Sequence, residues 1–398
     1  MKFTREPMIV FSAILAIAIA DGARATAQAN PGTGGYTSFG VNLYKELVGE
    51  KPGTNVFISP ASIGFALSMT MNGAAGGTRD AMAKTLGLAG SGIEAASAAD
   101  SILIGRMNDS IRAVRLSVAN SLWARRGVRF KEDFLRCNKR YYGADIRALS
   151  TAAAINDWVA EKTNDRITKI VDTIDPGTIL FLINAIYFKG TWSKEFDKNL
   201  TREEPFNLAG GSTSRRPMMR QSGRYDYLDG EGFQAVRLPY GDGRIGMYVF
   251  LPAGNSSLEQ FHEGLTGEKL IGWIGDLAER AGTVRIPRFR LEYEATLNRS
   301  LSALGMAIAF DTDRANFTRM FESVGTNAYI HEVRHKTFVE VNEEGTEAAA
   351  VTSVEMRATS AMVEKPPFEM IVDRPFFLAI VDGKTGLVLF MGSIVNPR

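Results

Sequence analysis

The chain has 398 residues, a formal charge of +2 and a single cysteine, Cys137. So small a net charge argues against nucleic acid or any partner recognised by bulk charge. One cysteine excludes an internal disulfide, so packing must hold the fold, and Cys137 itself reads as a small buried hydrophobe rather than a nucleophile.

Lys2 and Arg5 precede an apolar run from Met8 to Ala20, and Ala25-Thr26-Ala27 offers a small-x-small cleavage site before Gln28. This pattern reads as a secretory signal peptide over residues 1–27, with cleavage after Ala20 as the alternative and Glu6 as an unusual acid in a basic leader. The run is about 13 residues, too short to span a bilayer, and no later stretch is long and uncharged enough to do so. Residues 28–398 are the expected mature chain, exported and without a membrane anchor.

Phe39, Leu43 and Leu47 recur at helical spacing after Thr37-Ser38, and Gly49 closes the segment, so a helix opens the fold. In NVFISPASIGFALSMTMNGAAGGT a short apolar run, Val56 to Ile58, meets Ser59 as an N-cap with Pro60 at the first helical position. Ile63 and Leu67 supply the buried stripe. Thr151 caps a helix carrying Ile155, Trp158, Val159 and Lys162. Ile179 to Phe188 is apolar apart from Asn184, as a strand covered on both faces is. A buried amide left unpaired costs about 1–3 kcal/mol, so Asn184 predicts a polar cluster inside the sheet. Arg215, Arg216 and Arg220, close to Gly210-Gly211, read as a solvated hairpin rather than an anion site. Further strands are expected at Ala235–Leu238, Met247–Leu251, Val284–Phe289, Phe376–Val381 and Leu387–Phe390. Helices and strands interleave without a βαβ rhythm, repeat or linker, which favours one mixed α+β domain with a large sheet.

The stretch HEVRH, His331 to His335, has the spacing of a zinc-protease helix. Only a helix brings such a pair to Cβ positions about 5–6 Å apart; on a strand four residues advance about 13 Å, too far for one ion with bonds near 2 Å. From Tyr329 to Asn342 one alternation carries Tyr, His, Val, His, Thr, Val, Val, the pattern of a half-buried strand with both histidines inward and Phe338 as the exception. Both therefore read as structural. No G-x-S-x-G elbow accompanies the three histidines, His262, His331 and His335, so a serine hydrolase is poorly supplied as well.

After that strand come Glu343-Glu344-Gly345-Thr346-Glu347-Ala348-Ala349-Ala350-Val351-Thr352-Ser353. Turn-forming residues are scarce, and Thr346, Ala348, Ala350 and Thr352 alternate as small side chains, which lets a segment slide into a crowded sheet. A flexible Ala-rich linker or a short helix is the plainer reading.

At this point the chain resembles the serpin family over essentially its whole mature length. The motifs match in order: NVFISPASIGFALSM with NGAAGGT, INDWVAEKTNDRI, LINAIYFKGTW, VRLPY, and HKTFVEVNEEGTEAAA followed by DRPFFLAI and LFMGSIVNP. The resemblance implies an α+β serpin fold with three β-sheets, about nine helices and an exposed reactive-centre loop near 343–367. It implies a protease inhibitor, not an enzyme: a target serine protease cleaves the loop and is acylated, and the freed loop inserts into the main sheet with the protease attached, releasing stored strain as is known of the family. Cysteine proteases are a further partner class, no cofactor or metal is implied, and a monomer is expected.

On this resemblance the loop hinge is Gly345, Thr346, Glu347, Ala348, Ala349, Ala350 and Thr352, with Gly345 giving backbone freedom and Thr346, Ala348, Ala350 and Thr352 pointing into the sheet. Val351 replaces a usual alanine on the outer face, where it is tolerated. Ser59, Ser62, Asn184 and His335 match a hydrogen-bond cluster beneath the place where the sheet opens. Trp192, Arg288 and Glu343 match the group at the top of the opening. Family spacing of about 14 residues from Thr346 puts the reactive bond between Thr359 and Ser360, which suits an elastase-like pocket, with Arg357 (trypsin-like) and Met362 (chymotrypsin- or elastase-like) as alternatives. A non-inhibitory serpin acting as a carrier or binding protein is the rival, but its hinge would carry bulky or charged inward residues.

Overall fold

The computed structural model describes residues 31–108, 114–322, 327–346 and 365–398. The expected leader, residues 1–27, lies outside them. Strands and helices are numbered in chain order. The central sheet runs β10 (Phe289–Thr296), β11 (Glu332–Val341), β4 (Leu180–Thr191), β2 (Val114–Arg125) and β3 (Asp145–Leu149), with the two-residue β12 (Gly345–Thr346) on the end of β4. The second network runs β1 (Val56–Ile58), β15 (Leu387–Ile394), β14 (Phe376–Asp382), β8 (Ile245–Pro252), β7 (Phe233–Tyr240), β6 (Thr213–Gly230), β9 (Ala278–Pro287) and β13 (Phe368–Ile371), with β5 (Arg202–Asn207) beside β6.

The family resemblance implies three sheets, and the described strands hydrogen-bond into two networks. The reason is β6, 18 residues long: its first part pairs with β5 and β9, and its end, from Tyr227, pairs with β7, so two of the expected sheets are continuous through one strand.

Nine α-helices are found among the described residues. Helix α1 (Pro31–Glu50) starts earlier than Thr37-Ser38 suggested, because the Thr37 hydroxyl bonds to Thr33 O within the helix instead of capping it. Helix α2 (Pro60–Met71) is capped by Ser59, whose Oγ accepts from Ser62 N, and every one of its residues is buried. Helix α6 (Ala152–Lys162) is capped by Thr151 through Ala154 N. Cys137, on α5 (Glu132–Tyr142), is half-buried rather than buried, and burial raises its thiol pKa, the opposite of nucleophile activation. The expected strand at Val284–Phe289 is the junction of β9 and β10: Val284 and Ile286 are buried in one sheet and Phe289 in the other, so buried residues on both sides conceal the break at Arg288.

Strand β4 is apolar on both faces because it is covered twice. Leu180, Leu182, Ile186 and Phe188 join the main core, which also holds residues of α1 and α2. Phe181, Ile183, Ala185 and Tyr187 join a second cluster with Ile155, Trp158 and Val159 of α6. Phe338, the exception in the β11 alternation, belongs to that second cluster and lies 6.1 Å from the Tyr187 ring.

At the end of β14, Asp382 is 1% exposed. Arg244 grips it with Nε at 2.9 Å and Nη2 at 2.8 Å, while the same guanidinium donates to Arg106 O at 2.7 Å, near the end of α4 (Ile93–Asn108). Removing one partner of a buried ion pair strands the other, at a cost of about 3–5 kcal/mol. Asp382→Ala is therefore expected to lower the urea midpoint of the intact protein sharply. Asp382→Ala with Arg244→Met should recover part of the loss, and a double variant as unstable as the sum of the singles would show that the pair is not coupled.

Candidate functional site

The site is a seam in the central sheet. Strands β11 and β4 run parallel and pair over seven residues, from Glu332↔Phe181 to Phe338↔Tyr187. Above that, β11 continues along β10 to the Phe289↔Val341 pair, and β4 continues along β2 to the Val114↔Gly190 pair. Where β4 and β11 no longer pair, the chain turns at Asn342, whose N–H donates to Gly345 O at 2.8 Å, and comes back as β12, antiparallel to β4 with Gly345↔Thr191 and Thr346↔Gly190. The predicted hinge thus begins inside the sheet, against β4. Gly345 has φ +140°, and a Cβ there would lie 2.2 Å from Gly190 O, so both conformation and space require glycine. Glu347, Ala348, Ala349, Ala350 and Thr352 lie outside the described residues, as do the reactive bond Thr359–Ser360 and its alternatives Arg357 and Met362.

Ser59, Ser62, Asn184 and His335, predicted from separate parts of the chain, meet beneath the seam. His335 and Asn184 stand opposite each other in the β11–β4 register. The ring Nδ1 of His335 is hydrogen-bonded to Asn184 Oδ1, and Ser59 N donates to its Nε2 at 3.3 Å. Asn184 Nδ2 donates to Ser62 Oγ at 2.6 Å and to Asn120 Oδ1. Ser59 Oγ donates to Leu389 O at 2.6 Å, tying the cluster to β15. These are the partners that a buried Asn184 requires. Since Nε2 accepts from a backbone N–H, the ring is neutral with its proton on Nδ1.

Sequence reasoning missed Asn120. It sits on β2 directly opposite Asn184 and bonds to both Asn184 and Ser62. Its signal, a polar residue inside the apolar stretch around Leu122 and Trp123, became readable only once β2 was recognised as a strand.

At the top, Trp192 Nε1 donates to Asn342 O at 2.9 Å, and its ring stacks on Tyr240 at 4.3 Å. Backbone bonds from Trp192 N to Glu344 O (3.0 Å) and Phe196 N to Glu343 O (2.8 Å) fix the turn. The Glu343 carboxylate is buried, but its closest partner is the Thr201 hydroxyl at 2.8 Å. Arg288, half exposed, reaches it only at 3.6 Å. Thr201 is the second residue that sequence reasoning missed, and its loop position gave no signal.

His331 precedes β11, with its N–H donating to Leu180 O at 3.2 Å and its O accepting from Asn298 Nδ2 at 2.8 Å. It is separated from His335 along extended chain, and among the described residues no three His, Cys, Asp or Glu side chains gather as metal ligands.

Full burial pushes the pKa of His335 down to about 3, against 6.5 for a free histidine, only partly opposed by the bond to Asn184. The unfolded chain then takes up the proton first, so stability is complete above about 6.5 and is lost as pH falls toward 3. His262, hydrogen-bonded to Tyr44, behaves likewise with a pKa near 4. Asp100, raised by burial to about 6, contributes the opposite slope. His335→Gln should therefore flatten the fall in unfolding free energy between pH 6.5 and 4 relative to the parent, by up to about 1.4 kcal/mol per pH unit, while destabilising the protein at pH 7.5. Parallel curves of unfolding free energy against pH would show that His335 does not titrate on unfolding.

The profile of the family described as Serpin (serine protease inhibitor) matches residues 35–397. An uncharacterized serpin-like protein of Thermococcus kodakarensis is 35% identical over 378 residues, covering 93% of this chain and 87% of its own. The native state of tengpin, a thermophilic serpin, superposes with a TM-score of 0.84 at 33% identity over 91% of this chain and 93% of its own. The crystal structure of human thyroxine-binding globulin gives a TM-score of 0.82 at 25% identity over 92% of this chain and 98% of its own. With matching motifs, the seam cluster and a family profile that spans nearly the whole described chain, this protein belongs to the serpin family.

Proposed function

We propose that this serpin is a suicide-substrate inhibitor of serine endopeptidases that traps the acylated protease by inserting its cleaved loop between β4 and β11. The observation that carries this reading is the hinge: its first two residues are paired with β4, and the sequence that follows alternates the small residues Ala348, Ala350 and Thr352. Insertion competes with hydrolysis of the acyl-enzyme, and each tenfold change in that ratio is about 1.4 kcal/mol of barrier. Bulky or charged inward residues would slow insertion, and Ala348, Ala350 and Thr352 are neither.

Thyroxine-binding globulin, of similar fold and in complex with thyroxine, is the basis of the alternative reading as a binding protein. The hinge composition favours inhibition here. Cleavage at Thr359–Ser360 suits an elastase-like protease, with Arg357 and Met362 directing the inhibitor elsewhere if the loop register shifts, and cysteine proteases form a second target class. The leader over residues 1–27 supports export.

Mixed with an elastase-like protease, the protein should give a complex that survives boiling in detergent, with a released fragment that begins at Ser360 by mass spectrometry. Cleaved serpin together with fully active enzyme would favour the carrier reading. Thr346→Arg should convert inhibitor into substrate, raising the number of serpin molecules consumed per protease at least tenfold, about 1.4 kcal/mol of added insertion barrier. An unchanged stoichiometry would remove Thr346 from the insertion path.

A further inference from the structure

A cavity of about 360 Å³ opens beside the seam, at the end of β10 and β11 where the chain turns at Asn342. Arg216, Arg288, Arg290 and Arg398 line it together with Glu203 and Glu340, so cations outnumber carboxylates. Among the described residues, the one ion pair that any of these arginines makes is the loose contact of Arg288 with Glu343 at 3.6 Å. Arg216 was expected to be a solvated hairpin residue, but its guanidinium turns back toward the C-terminal segment. There it finds only neutral oxygens: Asn396 Oδ1 at 2.7 Å, Ser214 Oγ at 2.6 Å and Arg215 O at 2.8 Å. Its Nε is buried with no acceptor. The guanidinium of Arg290 stands 5.0 Å over the Phe338 ring, and its cross-strand neighbour is Glu340.

Guanidinium groups gathered in a hollow with a single carboxylate contact, the loose one at 3.6 Å, match a ligand that brings several charged oxygens, because their planar forks bind oxoanions in pairs of short, charge-assisted bonds. We propose that this cavity is a binding site for a phosphate or sulfate group, and that the bound group competes with Glu343 for Arg288. Glu343 tolerates the loss because its carboxylate keeps the Thr201 hydroxyl at 2.8 Å. The site would act on the turn that holds the hinge, since Asn342 both lines the cavity and accepts from Trp192. The cavity is present in the intact chain, so its test does not read inhibitory activity.

The test is calorimetric titration of the intact protein, at ionic strength held constant with chloride, with inorganic phosphate in one arm and phenyl phosphate in the other. Saturable binding is expected. Arg290→Gln, at an exposed position, and Arg216→Gln should each weaken it about tenfold, the worth of one charge-assisted bond. Glu343→Gln should tighten it several-fold by removing the competitor for Arg288. Binding of inorganic phosphate alone would identify a free ion as the ligand; equal binding of the ester would identify a group carried on a larger molecule. Absence of saturable binding in both arms would overturn the proposal, as would affinity unmoved by Arg290→Gln or not raised by Glu343→Gln.

Discussion

The pairing of β4 with β11 is the contact on which the rest of the structure turns. It is a parallel ladder in the middle of an otherwise mostly antiparallel sheet, and parallel pairs are slightly less stable per residue. Neither strand is an edge, yet the ladder stops after Tyr187 and Phe338, and the two strands continue with different partners. That leaves backbone groups on facing edges available to a third strand. The Gly345–Thr346 segment begins to use them, pairing with Gly190 and Thr191 of β4.

The chemistry beneath the seam fits this design. An apolar residue at position 184 would pack β4 permanently onto α2 and β11, whereas the amide commits four neighbours, Ser62, Asn120, His335 and indirectly Ser59, to one arrangement. A fully satisfied polar network in a dry interior specifies geometry sharply, because any displacement leaves buried groups unpaired. Its net contribution to stability is small, while its cost when half-broken is large. The seam is thereby held in register by directional bonds, which an aliphatic interface does not supply.

Much of this was legible before the structure. Ser59-Pro60 announced α2, Thr151 announced α6, and a lone asparagine in an apolar strand required a buried cluster. Alternation around His335 placed that residue on the core face and disposed of the zinc reading. The errors share one cause: short-range patterning cannot see which sheet a strand joins. Val284 to Phe289 looked like one strand because both of its halves are buried, and Asn120 and Thr201 went unnoticed because their roles depend on register across β2 and on a loop folded against Glu343. The motif resemblance covered part of that gap by supplying Trp192, Arg288 and Glu343 as a group. The weight it placed on Arg288 shifts to Thr201 once distances are known.

The front of the sheet adds one more constraint on the proposed insertion. The segment following α6 crosses the seam and is fastened on both sides. Arg115 on β2 donates to Asn164 Oδ1 at 3.0 Å, and Lys336 on β11 donates to Lys169 O at 2.7 Å. Lys336 is itself nearly buried, with Glu292 at 2.5 Å and Glu294 at 3.2 Å on β10. If β11 moves away from β4 together with β10, those two ion pairs travel with it unbroken, and the strap must release either Lys169 or Asn164. A single hydrogen bond to a charged group contributes about 1.5–3 kcal/mol. Release of the part-buried Lys336 bond would slow the proposed insertion by about one or two factors of ten in rate, whereas the solvent-exposed Arg115 bond costs less to break.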